Sequence, residues 1–83
     1  MIPIHELLAR IRWDPEFGRG EFQLGYLDRV ERRILRVALR AVRILPRHEG
    51  IEFADQSGVT RSLPLHRIKE VWRDGMLIWR RAH

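Results

Sequence analysis

At 83 residues with a net charge of +5 and no cysteine, the chain has room for one domain, without disulfide staples or a thiolate metal site. A chain this short buries roughly two-thirds of its unfolded surface at most, and the lack of cysteine points to a reducing compartment. No apolar run approaches the ~18 residues of a membrane span, and the start Met-Ile-Pro-Ile-His-Glu lacks the basic opening and long apolar core of a signal peptide, so a cytoplasmic protein with no membrane partner is expected.

Pro3 to Arg12 reads as a helix. Pro3 suits a first helical turn, where the missing N–H costs nothing. Ile4, Leu7, Leu8 and Ile11 recur at helical spacing as one apolar stripe, and Pro15 forces an end at or before Asp14. Trp13 to Gly20 is a loop carrying two rings that are costly to leave in water, Trp13 and Phe17. They either cover the end of the fold or form a stacking platform beside a ligand. Glu21 to Asp28 reads as a strand with Phe22, Leu24 and Tyr26 on one face, and Gly25 marks a bulge or bend.

From Arg29 to Arg47 the chain is basic. Seven arginines against the single acid Glu31 leave the stretch at +6, whereas the remainder sums to −1. Of the 16 bases 15 are arginine, whose planar fork matches phosphate at two points. The bland explanation, a solvated face or compositional drift, stands beside that one. The three- and four-residue spacing of the arginines fits a helix, but Leu35, Val37, Leu39 and Ala41 also alternate as in a strand. A repeat favours strands: Val37 to Leu45 lines up with Leu63 to Val71, and each copy leads to a turn and a further apolar strand. Ile51 to Ala54 and Val59 to Leu63 read as strands joined by Asp55-Gln56-Ser57-Gly58. Ile68 to Arg73 and Met76 to Arg80 form a hairpin about Asp74-Gly75, which supplies the positive φ angles of a two-residue primed turn. The expected fold is therefore α+β, an N-terminal helix packed on a small antiparallel β-barrel of five to six strands.

Pro-Ile-His-Glu-Leu-Leu-Ala-Arg-Ile-Arg-Trp-Asp-Pro at the start resembles the opening of the RNA cyclic-group end recognition, or RNA repair, domain family. So do Gly25-Tyr26-Leu27-Asp28-Arg29, and Leu63 to Ile68 through Asp74-Gly75 to Ile78-Trp79. The resemblance spans nearly the whole chain and implies a stand-alone copy of a module elsewhere fused to RNA-processing enzymes, two-histidine phosphoesterases and nucleotidyltransferases among them. It implies binding to RNA ends that carry a cyclic phosphate or a similar group. Residues 38 to 45 depart from the family's pattern in being rich in Arg and Ala.

A 2′,3′-cyclic phosphate end offers a singly charged diester and an unstacked base, so its reader needs a forked cation, a donor and an aromatic face. Within the matching segments Arg67 and Arg29 are the candidate cations and His66 the donor or proton switch. Trp13 and Tyr26 are the stacking candidates, and Asp14 and Asp28 would orient arginines or accept from ribose. Each also has a structural reading. His66 caps backbone groups, Tyr26 is a core residue, Asp28 holds a local turn, and Asp14 is a turn former ahead of Pro15. The binding role requires Arg67, His66, Trp13 and Tyr26 to share one basin. Two alternatives compete with it: a small basic protein-interaction barrel, and a cyclic phosphodiesterase using His5 and His66 as acid and base. No cofactor or metal is indicated by four scattered histidines. A homodimer is plausible on the strength of open strand edges.

Overall fold

The computed structural model describes residues 2–81. Helix α1 (Ile4–Trp13) begins at Pro3 and ends where the Asp14 N–H reaches the Arg10 carbonyl. Ten residues are marginal as an isolated helix, so α1 depends on burying Ile4, Leu7 and Leu8. Seven strands follow: β1 (Phe22–Asp28), β2 (Arg33–Ala38), β3 (Arg43–Ile44), β4 (Ile51–Ala54), β5 (Thr60–Leu63), β6 (Ile68–Arg73) and β7 (Met76–Arg80). They form two antiparallel sheets, one in the order β2-β1-β6-β7 and the other β3-β4-β5. The inner faces of both sheets and the apolar stripe of α1 share a core that includes Leu24, Ile51, Ile68 and Val71, all fully buried. The Trp79 indole N–H closes it by donating to the Ile2 carbonyl at 2.8 Å. Among the described residues, no helix is long and apolar enough to cross a membrane.

The α+β class holds, but the barrel does not form. Closure needs a continuous ladder from one sheet into the other, and the chain breaks it at both crossings. Leu39–Ala41 and Leu65–Arg67 are 3₁₀ turns in which the N–H of the following residue, Val42 or Ile68, bonds back to Leu39 or Leu65. Those groups are lost to a ladder, and Pro64 has no N–H to offer. The two turns occupy equivalent positions in the repeat read from the sequence. Extended Ala38 and Pro64 precede them, and extended Val42 and Ile68 follow. The first copy takes the chain from the four-stranded sheet to the β3–β4 hairpin; the second returns it to the β6–β7 hairpin. The pattern thus encodes a change of sheet, where uninterrupted strands were expected. Residues 33–44 contain no α-helix.

The β6–β7 turn is as expected, with Asp74 at φ 50° and Gly75 at φ 82°. Gly25 earns its place differently from a simple bend. A Cβ there would sit 2.8 Å from the Glu70 carboxylate and 3.0 Å from Ile34, so the bare backbone lets β2 and β6 side chains meet across β1. The register of β1 against β6 also shifts between Gly25 and Tyr26.

Candidate functional site

Besides its buried stripe, α1 carries His5, Ala9, Arg12 and Trp13 at spacings of four, three and one, which places them together on a neighbouring face. The segment opposite is Ile44 to His48. Pro46 starts a tight 3₁₀ turn in which Arg47 (φ 59°, ψ 28°) and His48 (φ 59°) both take left-handed backbone. Two such residues in succession, neither of them glycine, cost of order 1 kcal/mol or more each. The turn brings the His48 ring onto His5, with centroids 4.5 Å apart and planes inclined by 26°.

Between these elements lies a groove of about 470 Å³ lined by both histidines, Arg12, Arg47, Trp13 and an apolar group that includes Leu8, Ile44 and Leu65. The volume lies in the range of small-ligand sites. Among the described residues the lining holds two guanidinium groups, two imidazoles and no carboxylate. Among the described residues neither Arg12 nor Arg47 is ion-paired. The Trp13 indole is 69% exposed, an unusual state for the largest apolar side chain. Phe17, its companion in the loop, is half-buried beneath the Arg10 guanidinium at 4.1 Å. The two rings therefore differ: Phe17 covers the fold, whereas Trp13 stays exposed at the edge of the groove.

The remaining residues singled out in the sequence do not gather round this groove. The Tyr26 ring is buried in the core against Phe53, at 5.1 Å between centroids, and burial raises its hydroxyl pKa. Asp28 is buried at the end of β1. Its carboxylate accepts from the Val30 N–H (2.8 Å), the Glu31 N–H (3.1 Å) and Arg61 Nη1 (3.1 Å). The Glu31 N–H is the main cause of its lowered pKa, with the Val30 N–H and Arg61 acting the same way against desolvation. Asp14 accepts from the N–H groups of Glu16 and Phe17, both at 3.1 Å, and so forms the turn after α1. Arg67 donates to the Leu27 carbonyl at 2.6 Å, and its buried Nε has no partner among the described residues. His66 is exposed on the second 3₁₀ turn, and Arg29 is exposed on the β1–β2 turn.

The expected common basin of Arg67, His66, Trp13 and Tyr26 is thus not formed, and a binding role resting on those four residues together falls with it. Trp13 lines the groove beside α1. Tyr26 lines a separate cavity of about 390 Å³ between the sheets, where Asp28, Glu31 and Asp55 offset Arg33 and Arg61. The reason is the period-two geometry of β1, which turns Tyr26 and Asp28 inward with Phe22 and Leu24. His5 stacks on His48 and not on His66. The sequence reading missed Arg12, Arg47 and His48. The helical spacing from His5 to Trp13 could have revealed Arg12, whereas nothing local signals the left-handed turn that delivers Arg47 and His48. Among the described residues no cluster of three or more His, Cys, Asp or Glu could hold a metal ion.

The family model of the MJ1316 RNA cyclic group end recognition domain matches residues 1–81. The chain belongs to that family. No curated protein and no solved structure matches it significantly. In this member of the RNA cyclic group end recognition family the match takes in α1, both sheets and every residue lining the groove.

Proposed function

We propose that the protein is a non-catalytic module that binds RNA ends bearing a cyclic phosphate, and that the groove between α1 and the Pro46–His48 turn is where it does so. The observation that carries this reading is the composition of the groove among the described residues: an exposed indole, two guanidinium groups outside any ion pair and two stacked imidazoles, with no acid among them. A terminal base stacks on Trp13, since unpaired RNA bases are read on aromatic faces. Arg12 and Arg47 supply forked donors to the phosphate, and His5 or His48 an N–H to its ring oxygens. The family's description, recognition of an RNA cyclic group end, supports the reading at the level of the ligand class. In RNA repair or processing the module would present such ends to a phosphoesterase or a nucleotidyltransferase.

Phosphodiester opening by acid and base requires proton donor and acceptor on opposite sides of an in-line displacement. The imidazoles of His5 and His48 lie face to face, inclined by only 26°, an arrangement suited to presenting one donor edge. That arrangement supports the reading of binding without turnover.

A short RNA with a 2′,3′-cyclic phosphate, compared with its 3′-hydroxyl and 3′-monophosphate twins, tests the proposal. The cyclic end is expected to bind on the order of tenfold more tightly than the hydroxyl end and to be recovered intact after overnight incubation. Equal affinities would reduce the protein to a general RNA binder, and an opened ring would make it an enzyme.

A further inference from the structure

The outer face of the four-stranded sheet is a second surface with chemistry of its own. The ladder pairs Gly25 with Arg36 on one side and with Glu70 on the other, and Glu70 in turn with Arg80. These residues therefore form a row across all four strands. Because Gly25 has no side chain, Arg36 reaches across β1 and its guanidinium lies 3.7 Å above the Trp72 ring. The Glu70 carboxylate accepts from Trp72 Nε1 at 3.1 Å, which fixes the ring edge and engages the one acid of the row. Leu27 and Ile34, paired across β1 and β2, are each 37% exposed beside it. The shallow cavity they help to line, about 250 Å³, has five cationic residues, Arg80 among them, against Glu70 alone. Among the described residues neither Arg36 nor Arg80 is ion-paired.

A cation already stacked on an indole, flanked by Arg80 and exposed aliphatic groups, is built for a partner that is both anionic and flat. Charge complementarity excludes a basic partner, and the mixture of planar and apolar groups exceeds what a bare polyanion would need. From this we infer that the outer sheet face binds single-stranded RNA along its length. Bases stack on the Arg36–Trp72 pair and phosphates lie against Arg36 and Arg80. This goes beyond end recognition and stands without it, since the surface shares no lining residue with the groove beside α1.

The test measures anisotropy of the full chain with labelled single-stranded RNAs of two and of twelve nucleotides, each with cyclic and hydroxyl ends. The twelve-nucleotide RNA is expected to bind on the order of tenfold more tightly than the dinucleotide whatever its end. The double variant R36A/R80A should lose that gain while keeping its affinity for the cyclic dinucleotide. Each lost phosphate contact should also lower the slope of log affinity against log salt by about 0.7. Arg36→Lys, which keeps the charge without the planar stack, should recover only part of the gain. A length-independent affinity in the native protein, or a gain that survives R36A/R80A, would overturn the inference. Failure of the cyclic dinucleotide to bind, with the length effect intact and dependent on Arg36, would overturn the groove reading alone.

Discussion

Trp13 and Arg47 separate binding from folding most cleanly. With its indole 69% exposed, Trp13 contributes little packing, so Trp13→Ala should leave stability within about 0.5 kcal/mol of the native value. Loss of a stacked base should weaken binding of cyclic-ended RNA by about 1–3 kcal/mol. Arg47 sits in left-handed backbone at φ 59°, where glycine carries no steric penalty. Arg47→Gly should therefore hold or raise the melting temperature while lowering RNA affinity on the order of tenfold, as expected for loss of a charge-assisted contact. Calorimetry and anisotropy on the same samples check both variants. A residue serving only the fold would move the two readouts together.

Asp28 is the opposite case, a buried carboxylate engaged by two backbone N–H groups and Arg61. Asp55 likewise has a lowered pKa, chiefly because of the Val59 N–H. A carboxylate whose pKa is lower folded than unfolded stabilises the fold fully above its ordinary value. That contribution is lost as pH falls through the depressed folded value. The melting temperature should accordingly fall in acid below the usual carboxylate range. Asp28→Asn should cost several degrees at pH 7, and the gap to the native protein should narrow as pH drops below 4. A gap that stayed constant with pH would show that the ionised form of Asp28 contributes nothing.

Among the elements, the Asp74-Gly75 turn, the apolar stripe of α1 and the inward face of β1 were legible because each follows from local stereochemistry or a fixed period. The same period that identified β1 already turned Tyr26 and Asp28 into the interior, away from the groove beside α1. The two 3₁₀ turns were hidden. Leu39–Ala41 and Leu65–Arg67 sit inside patterns that alternate like strands, and only the choice of pairing partner made by the flanking segments reveals that the chain changes sheets there. The repeat in the sequence was real information about that crossing, read as a different structure. Gly75→Ala, at φ 82°, should destabilise the fold by about 1 kcal/mol or more, or about 4–8 °C for a domain of this size. An unchanged melting temperature would mean that the hairpin tolerates another turn.

For the molecule as a whole, composition announced a basic protein but not where its charge would be usable. The Arg29–Arg47 stretch divides among the cavity between the sheets, the outer face of the four-stranded sheet and the turn beside α1. Two of its members are neutralised, Arg40 by Glu21 and Arg43 by Glu52, in exposed pairs that contribute at most ~1 kcal/mol each. The groove beside α1 joins residues some forty positions apart, so no window of sequence contains it. The central claim is that His5, Arg12, Trp13, Arg47 and His48 form one site for a cyclic phosphate end. Its most direct test is an NMR titration of the protein with cytidine 2′,3′-cyclic monophosphate, following the imidazole and indole signals. Saturable shifts at His5, His48 and Trp13, with Trp79 unmoved, are the predicted result. Shifts confined to Trp72, or none at the two histidines, would contradict it.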